Sequence, residues 1–137
     1  MEIIFFWLML SLNIQSTSEA RLTVIVENIN EAKGMICVGL FDRESGFLKS
    51  TVDKKIARAD GATVTVTFDN LPAGDYAVSV IHDTNNNLVL DKNFLGIPKE
   101  GFGFSNNVIG IFGPPSFEQA LINLVDVKEL RIKLKYY

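Results

Sequence analysis

The stretch "HDTNNNLVLD", residues 82–91, gathers two aspartates and three asparagines around one short loop. Numbered from Asp83, oxygen-bearing side chains fall at positions 1, 3, 5 and 9: Asp83, Asn85, Asn87 and Asp91. Val89, at position 7, would contribute a backbone carbonyl. This is the ligand spacing of an EF-hand-type calcium loop, in which alternate oxygens converge on a hard cation that takes 6–8 of them. Two positions depart from it. Leu88 stands at position 6, where the sharp turn favours glycine, and Phe94 stands at position 12, where a bidentate glutamate closes the site. Glu100 can supply the missing carboxylate if the loop folds back. With two carboxylates in the loop, the expected calcium affinity is weak, about 10⁻⁴–10⁻³ M. The same side chains have a simpler use, because Asn and Asp satisfy backbone groups in turns.

Other reactive residues are sparse. His82 is the single histidine. If it shares a strand with Asp83, the two side chains point to opposite faces and form no ready dyad. A small hydrolase built on His82, Asp83 and Glu100 is the enzymatic alternative. Ser105 has no base placed beside it by sequence. The segment "NFLGIPKEGFGFSNN" (93–107) brings Phe94, Phe102 and Phe104 together. They are expected either to pin the loop as a satellite apolar cluster or to form a ligand surface with His82, Ser105 and Asn106. On such a surface aromatic faces would meet a sugar ring or another apolar partner. Cys37, the only cysteine, lies in the apolar run "GMICVGLF" and is expected to be buried and reduced, as a small apolar side chain.

The elements that must carry these residues have period two. "RLTVIVENI" (21–29), "MICVGLF" (35–41), "ATVTVTF" (62–68), "YAVSVIH" (76–82) and the tail "ELRIKLKYY" (129–137) read as strands. Their inward positions are Leu22, Val24, Val26, Ile36, Val38, Leu40, Val64, Val66, Phe68, Tyr76, Val78, Val80, Ile132 and Leu134. "VIGIF" (108–112) reads as a further short strand, stopped by Pro114 and Pro115. "KKIARAD" fits a polar edge strand or a short helix, and "SFEQAL" (116–121) one helical turn capped by Ser116. About seven short strands joined by Gly/Pro turns predict an all-β antiparallel sandwich.

The first residues differ in character. Ile3–Ile14 is an apolar run, shorter than the roughly 20 residues of a membrane span. Small residues Ser18 and Ala20 follow at the −3 and −1 positions of a cleavage site, although the start carries Glu2 and no Lys or Arg. Residues 1–20 are read as a signal peptide and 21–137 as a single domain, secreted or held in the periplasm or cell envelope. Cleavage removes Glu2 and Glu19 from the 16 acidic residues and none of the 13 basic ones, leaving a nearly neutral domain. The basic residues are scattered, so no nucleic-acid partner is expected. No transmembrane span is expected in the mature chain.

The series "LPAGDYAVSVIHD", "NNN", "DKN" and "GIPKEGFGFSNN", with "GPPSFEQA" behind it, resembles an exported bacterial family known as domain of unknown function 2141. The resemblance covers about Leu22 to Tyr136. It implies a transthyretin- or prealbumin-like β-sandwich; the LPxGxY turn recurs in carboxypeptidase regulatory-type domains. His82, Asp83, Asn85, Asn87, Asp91, Asn93, Glu100 and Ser105–Asn107 match the family pattern, whereas Asn86 and Leu88 replace its usual glycines. The resemblance brings no ligand or activity. Transthyretin-like hydrolases use several histidines and a particular C-terminal tetrapeptide; this chain has one histidine and ends "KLKYY". The function expected is therefore a non-enzymatic exported module, binding a protein or glycan partner, with a weak calcium site in the 83–94 loop. A purely structural accessory domain is the third reading.

Overall fold

The computed structural model describes residues 19–137; the segment read as a signal peptide lies outside the described residues up to position 18. Eight strands follow in order: β1 (Glu19–Glu27), β2 (Met35–Phe41), β3 (Asp53–Arg58), β4 (Val64–Pro72), β5 (Gly74–Asp83), β6 (Phe102–Phe104), β7 (Ile122–Leu124) and β8 (Val127–Lys133). One sheet has the order β4-β1-β8. The other runs β3-β2-β5-β6, and β7 pairs with the first residues of β5. All pairs are antiparallel except β1 with β8, which run parallel from Arg21 opposite Val127 to Glu27 opposite Lys133. The molecule is an all-β sandwich.

Alternation explains the two faces. Val24 lies opposite Val66 and Val26 opposite Val64, while Val38 lies opposite Val80 in the second sheet. Every inward position predicted from the sequence is buried, and all of them join one apolar core between the sheets. Each such Val, Leu, Ile or Phe contributes about 1.5–3 kcal/mol by leaving water. Gly103, on the inward register of β6, lets that strand approach β8: a β-carbon there would collide with Ile132.

The "LPAGDY" turn carries the chain from β4 in one sheet to β5 in the other. Tyr76 holds the corner by donating its hydroxyl hydrogen to the Pro72 carbonyl over 2.6 Å. "FSNN" ties the layers together. Buried Ser105 accepts from the Val78 N–H at 2.9 Å and donates to the Ala120 carbonyl. Asn107 reaches across to β8, accepting from the Lys133 N–H at 2.9 Å.

Several local expectations resolve. "DKKIAR" is the edge strand β3, not a helix. Ser116 caps the short helix α1 (Phe117–Ala120) in a reciprocal pair with Gln119. Residues 108–112 form no strand. The turn at 105–107 takes the chain off β6, and β7 occupies the adjacent part of the β5 edge, so this segment has no ladder to join. The boundary expected at residue 21 falls inside β1, where Ala20 is already buried and opposite Leu71.

Candidate functional site

The 83–100 loop is organised by its carboxylates. Asp83 ends β5, fully buried, and its two oxygens accept from the backbone N–H groups of Asn87 (3.1 Å) and Leu88 (2.8 Å). Buried Glu100 accepts from the Thr84 N–H at 2.7 Å and the Asp91 N–H at 3.1 Å, clamping both limbs of the loop. Asp91 instead receives side chains: Asn85 Nδ2 at 2.7 Å and Asn87 Nδ2 at 2.9 Å. Those amides hold the Asp91 carboxyl below the usual carboxylate range, Asn87 more than Asn85. Asn87 also accepts from the Val89 N–H. Asp83, Asn85, Asn87, Asp91 and Glu100 thus lie in one hydrogen-bond network, with Glu100 folded back onto the loop. Asp83 and Glu100 nevertheless face backbone donors, not a common centre. Among the described residues, no three His, Cys, Asp or Glu side chains converge as a metal site.

Leu88 adopts φ +61° and Asn86 φ +58°. The left-handed backbone that suits glycine is kept at both positions without one, and at Leu88 this stores strain of about 1–2 kcal/mol.

His82 and Ser105 are fully buried and do not belong to a ligand surface. His82 Nε2 lies 2.7 Å from the Lys33 carbonyl, and Nδ1 lies 2.8 Å from the Tyr136 hydroxyl. Its ring faces the interior while Asp83 serves the loop, so the two form no dyad. Asn106 uses its amide on the carbonyls of Gln119 and Leu121.

Phe102 and Phe104 do form a satellite cluster, but not with Phe94, which is 95% exposed. Phe47 and Phe117 take that place, with the Phe47 ring edge-on to Phe117 at 5.8 Å and to Phe104 at 6.5 Å. Phe47 lies far from the loop in sequence and Phe117 in the helical turn beyond it, and nothing in the local pattern joined them to this cluster.

The outward face of the larger sheet forms the floor of a groove of about 1010 Å³. Cys37, Ser79, Ile81 and Phe102 line it from β2, β5 and β6. Leu88, Leu95 and Ile97 stand on one side; Ile109, Ile111 and Phe112 come from the segment after β6. Ten of the fourteen exposed large hydrophobic residues described line this one groove. Single exposed apolar residues are ordinary on a protein surface, but a contiguous set marks a binding face. Here the expected buried thiol is corrected: Cys37 is half-buried, because its position on β2 points away from the core towards the groove. Burial, then the Asp83 charge, raises its pKa, so the thiol persists at neutral pH.

Fold and groove define a β-sandwich with an apolar groove on its outer face. The chain belongs to the family described as "Uncharacterized protein conserved in bacteria (DUF2141)", matched over residues 24–133. Neither curated proteins nor solved structures give a match. Among the described residues, no helix is long and apolar enough to cross a membrane.

Proposed function

We propose that this protein is an exported, non-enzymatic binding module whose ligand site is the groove on the outer face of the β3-β2-β5-β6 sheet. The observation that carries this reading is the gathering of otherwise scattered exposed apolar side chains around one concavity. Its size falls at the upper end of the range for ligand sites, and such sites are mostly apolar. Mostly aliphatic walls, with Phe112 and Tyr137 as the exposed rings, suit an apolar group better than a glycan, which needs convergent polar side chains beside such rings. The hydrolase alternative gains no support, since His82, Asp83 and Glu100 are each engaged in structural hydrogen bonds. Export rests on the Ile3–Ile14 run and the small residues after it. Mass spectrometry of the exported protein should find an N-terminus near residue 20; an intact Met1 in cytoplasmic protein would overturn that part.

The test of the groove is a neutral apolar dye, N-phenyl-1-naphthylamine. Its fluorescence should rise with the wild-type protein and not with Ser79→Trp, which fills the floor. No rise with folded wild-type protein would sink the reading.

Weak calcium binding on the 83–91 loop is a second, separable proposal. It is supported by the meeting of Asn85 and Asn87 on the Asp91 carboxylate. A half-turn of either amide presents oxygen in place of NH₂, at the cost of that residue's own turn hydrogen bond. Calcium tenfold above its Kd should stabilise the fold by about 1.4 kcal/mol, and magnesium by less. An unchanged melting temperature in millimolar calcium would show that the loop is held by its own hydrogen bonds.

A further inference from the structure

The charged residues of the groove narrow the choice of occupant. Lys54, Lys55 and Lys92 line it, and no Asp or Glu does. This runs against the whole chain, in which 16 acidic residues outnumber 13 basic ones. Lys55 lies opposite Val38 on the inward register of β3, and its Nζ sits 6.0 Å from the centre of the Phe68 ring. Lys54 lies opposite Gly39 on the outward register, beside the floor. Lys92 rises from the loop wall, next to the short pairing of Lys92 with Pro98. Among the described residues, neither Lys54 nor Lys92 has a carboxylate partner. Two unpaired cations at an apolar trough supply one complement: an acyl chain along the floor and a negative head at the rim.

We propose that the groove binds a long-chain monocarboxylate, taken as a free monomer from water, with its carboxylate at Lys54 or Lys92. This rests on the groove being the ligand site. A neutral apolar ligand would leave both ammonium groups without a role, and a glycan would leave the aliphatic walls without one.

The experiment is displacement of N-phenyl-1-naphthylamine from the full domain by laurate and by dodecanol, both below their aggregation limits. Laurate should displace the dye about tenfold better than dodecanol, because a charge-assisted contact exceeds a neutral one by roughly that factor. Lengthening laurate by two methylenes should tighten binding about tenfold again. The double variant Lys54→Gln/Lys92→Gln should lose the advantage of laurate over dodecanol while still binding the dye. If the dye binds but laurate and dodecanol compete equally, or the double variant keeps the advantage, the carboxylate assignment falls and the groove stands. If the dye does not bind, the groove reading falls and this inference with it. If phosphatidylglycerol vesicles capture the protein and laurate does not release it, the face docks on membranes and the proposal is overturned.

Discussion

Tyr136 donates its phenolic hydrogen to Nδ1 of His82 over 2.8 Å, a direction set by the far side of the imidazole. Nε2 faces the Lys33 carbonyl, which can only accept, so in the neutral imidazole Nε2 carries hydrogen and Nδ1 holds the lone pair. The same tyrosine oxygen accepts from the Asn30 N–H at 3.2 Å. Its ring lies against Gly101, where a β-carbon would have no room. One aromatic residue near the end of the chain therefore joins β5, the 30–33 turn and the segment leading into β6.

Tyr136→Phe should cost about 1–3 kcal/mol in urea denaturation, because it leaves buried His82 Nδ1 without a donor. Dye binding in the groove should be unchanged. A stability loss below the error of the measurement would mean that water replaces the hydroxyl.

Leu88→Gly should raise stability by about 0.5–1 kcal/mol. Relief of the left-handed strain exceeds the added flexibility of the unfolded chain. Leu88 is largely exposed, so little packing is lost. A fall in stability would show that its side chain braces the groove wall. Asn86→Gly should change less, since asparagine tolerates this backbone.

Asp91 gives the loop a pH dependence with a definite sign. Its carboxyl is held below the ordinary range, by Asn87 first and Asn85 second. The folded loop therefore favours the charged form. Its contribution is complete above the ordinary aspartate value of about 4 and disappears as pH falls through the lower folded value. An NMR titration should show Asn87→Ala moving Asp91 back up towards that value. An unmoved titration would remove the amide as the cause.

Cys37 should react with maleimide at pH 7.5 more slowly than an unhindered cysteine. Burial and the Asp83 charge keep it protonated. The rate should keep climbing at a pH where a free thiol has levelled off. Bound dye should slow it further, because Cys37 lies on the groove floor. Labelling insensitive to dye would place the dye elsewhere.

Much of the sandwich was legible from residue type alone. The alternation of Val64, Val66 and Phe68 with threonines could serve only a strand with one dry face, and β2 emerged with the bounds read for it. The capped turn at Ser116 was equally plain, because a capping box is a local device. Two strands escaped notice, Phe102–Phe104 and Ile122–Leu124, each three residues long. Three residues are too few to show a period. The false strand at 108–112 had the right composition, but the 105–107 turn takes the chain off β6 and β7 holds the neighbouring part of β5.

The chain's own order of side chains determined which face of each strand is dry, because successive residues point to opposite sides whatever the neighbour. It also determined the loop chemistry, since an Asn or Asp finds its backbone partner within a few residues. Which strands are neighbours was decided only in three dimensions. Val24 meets Val66 on one side and Leu130 on the other, and alternation cannot say that the second pairing is parallel. The groove was decided there too. Cys37, Ile81 and Phe102 are well separated in the chain and share no motif, and only the pairing of β2, β5 and β6 brings their outward faces together. A surface of that kind depends on which side chains the core leaves outside, and that is settled when the sheets close.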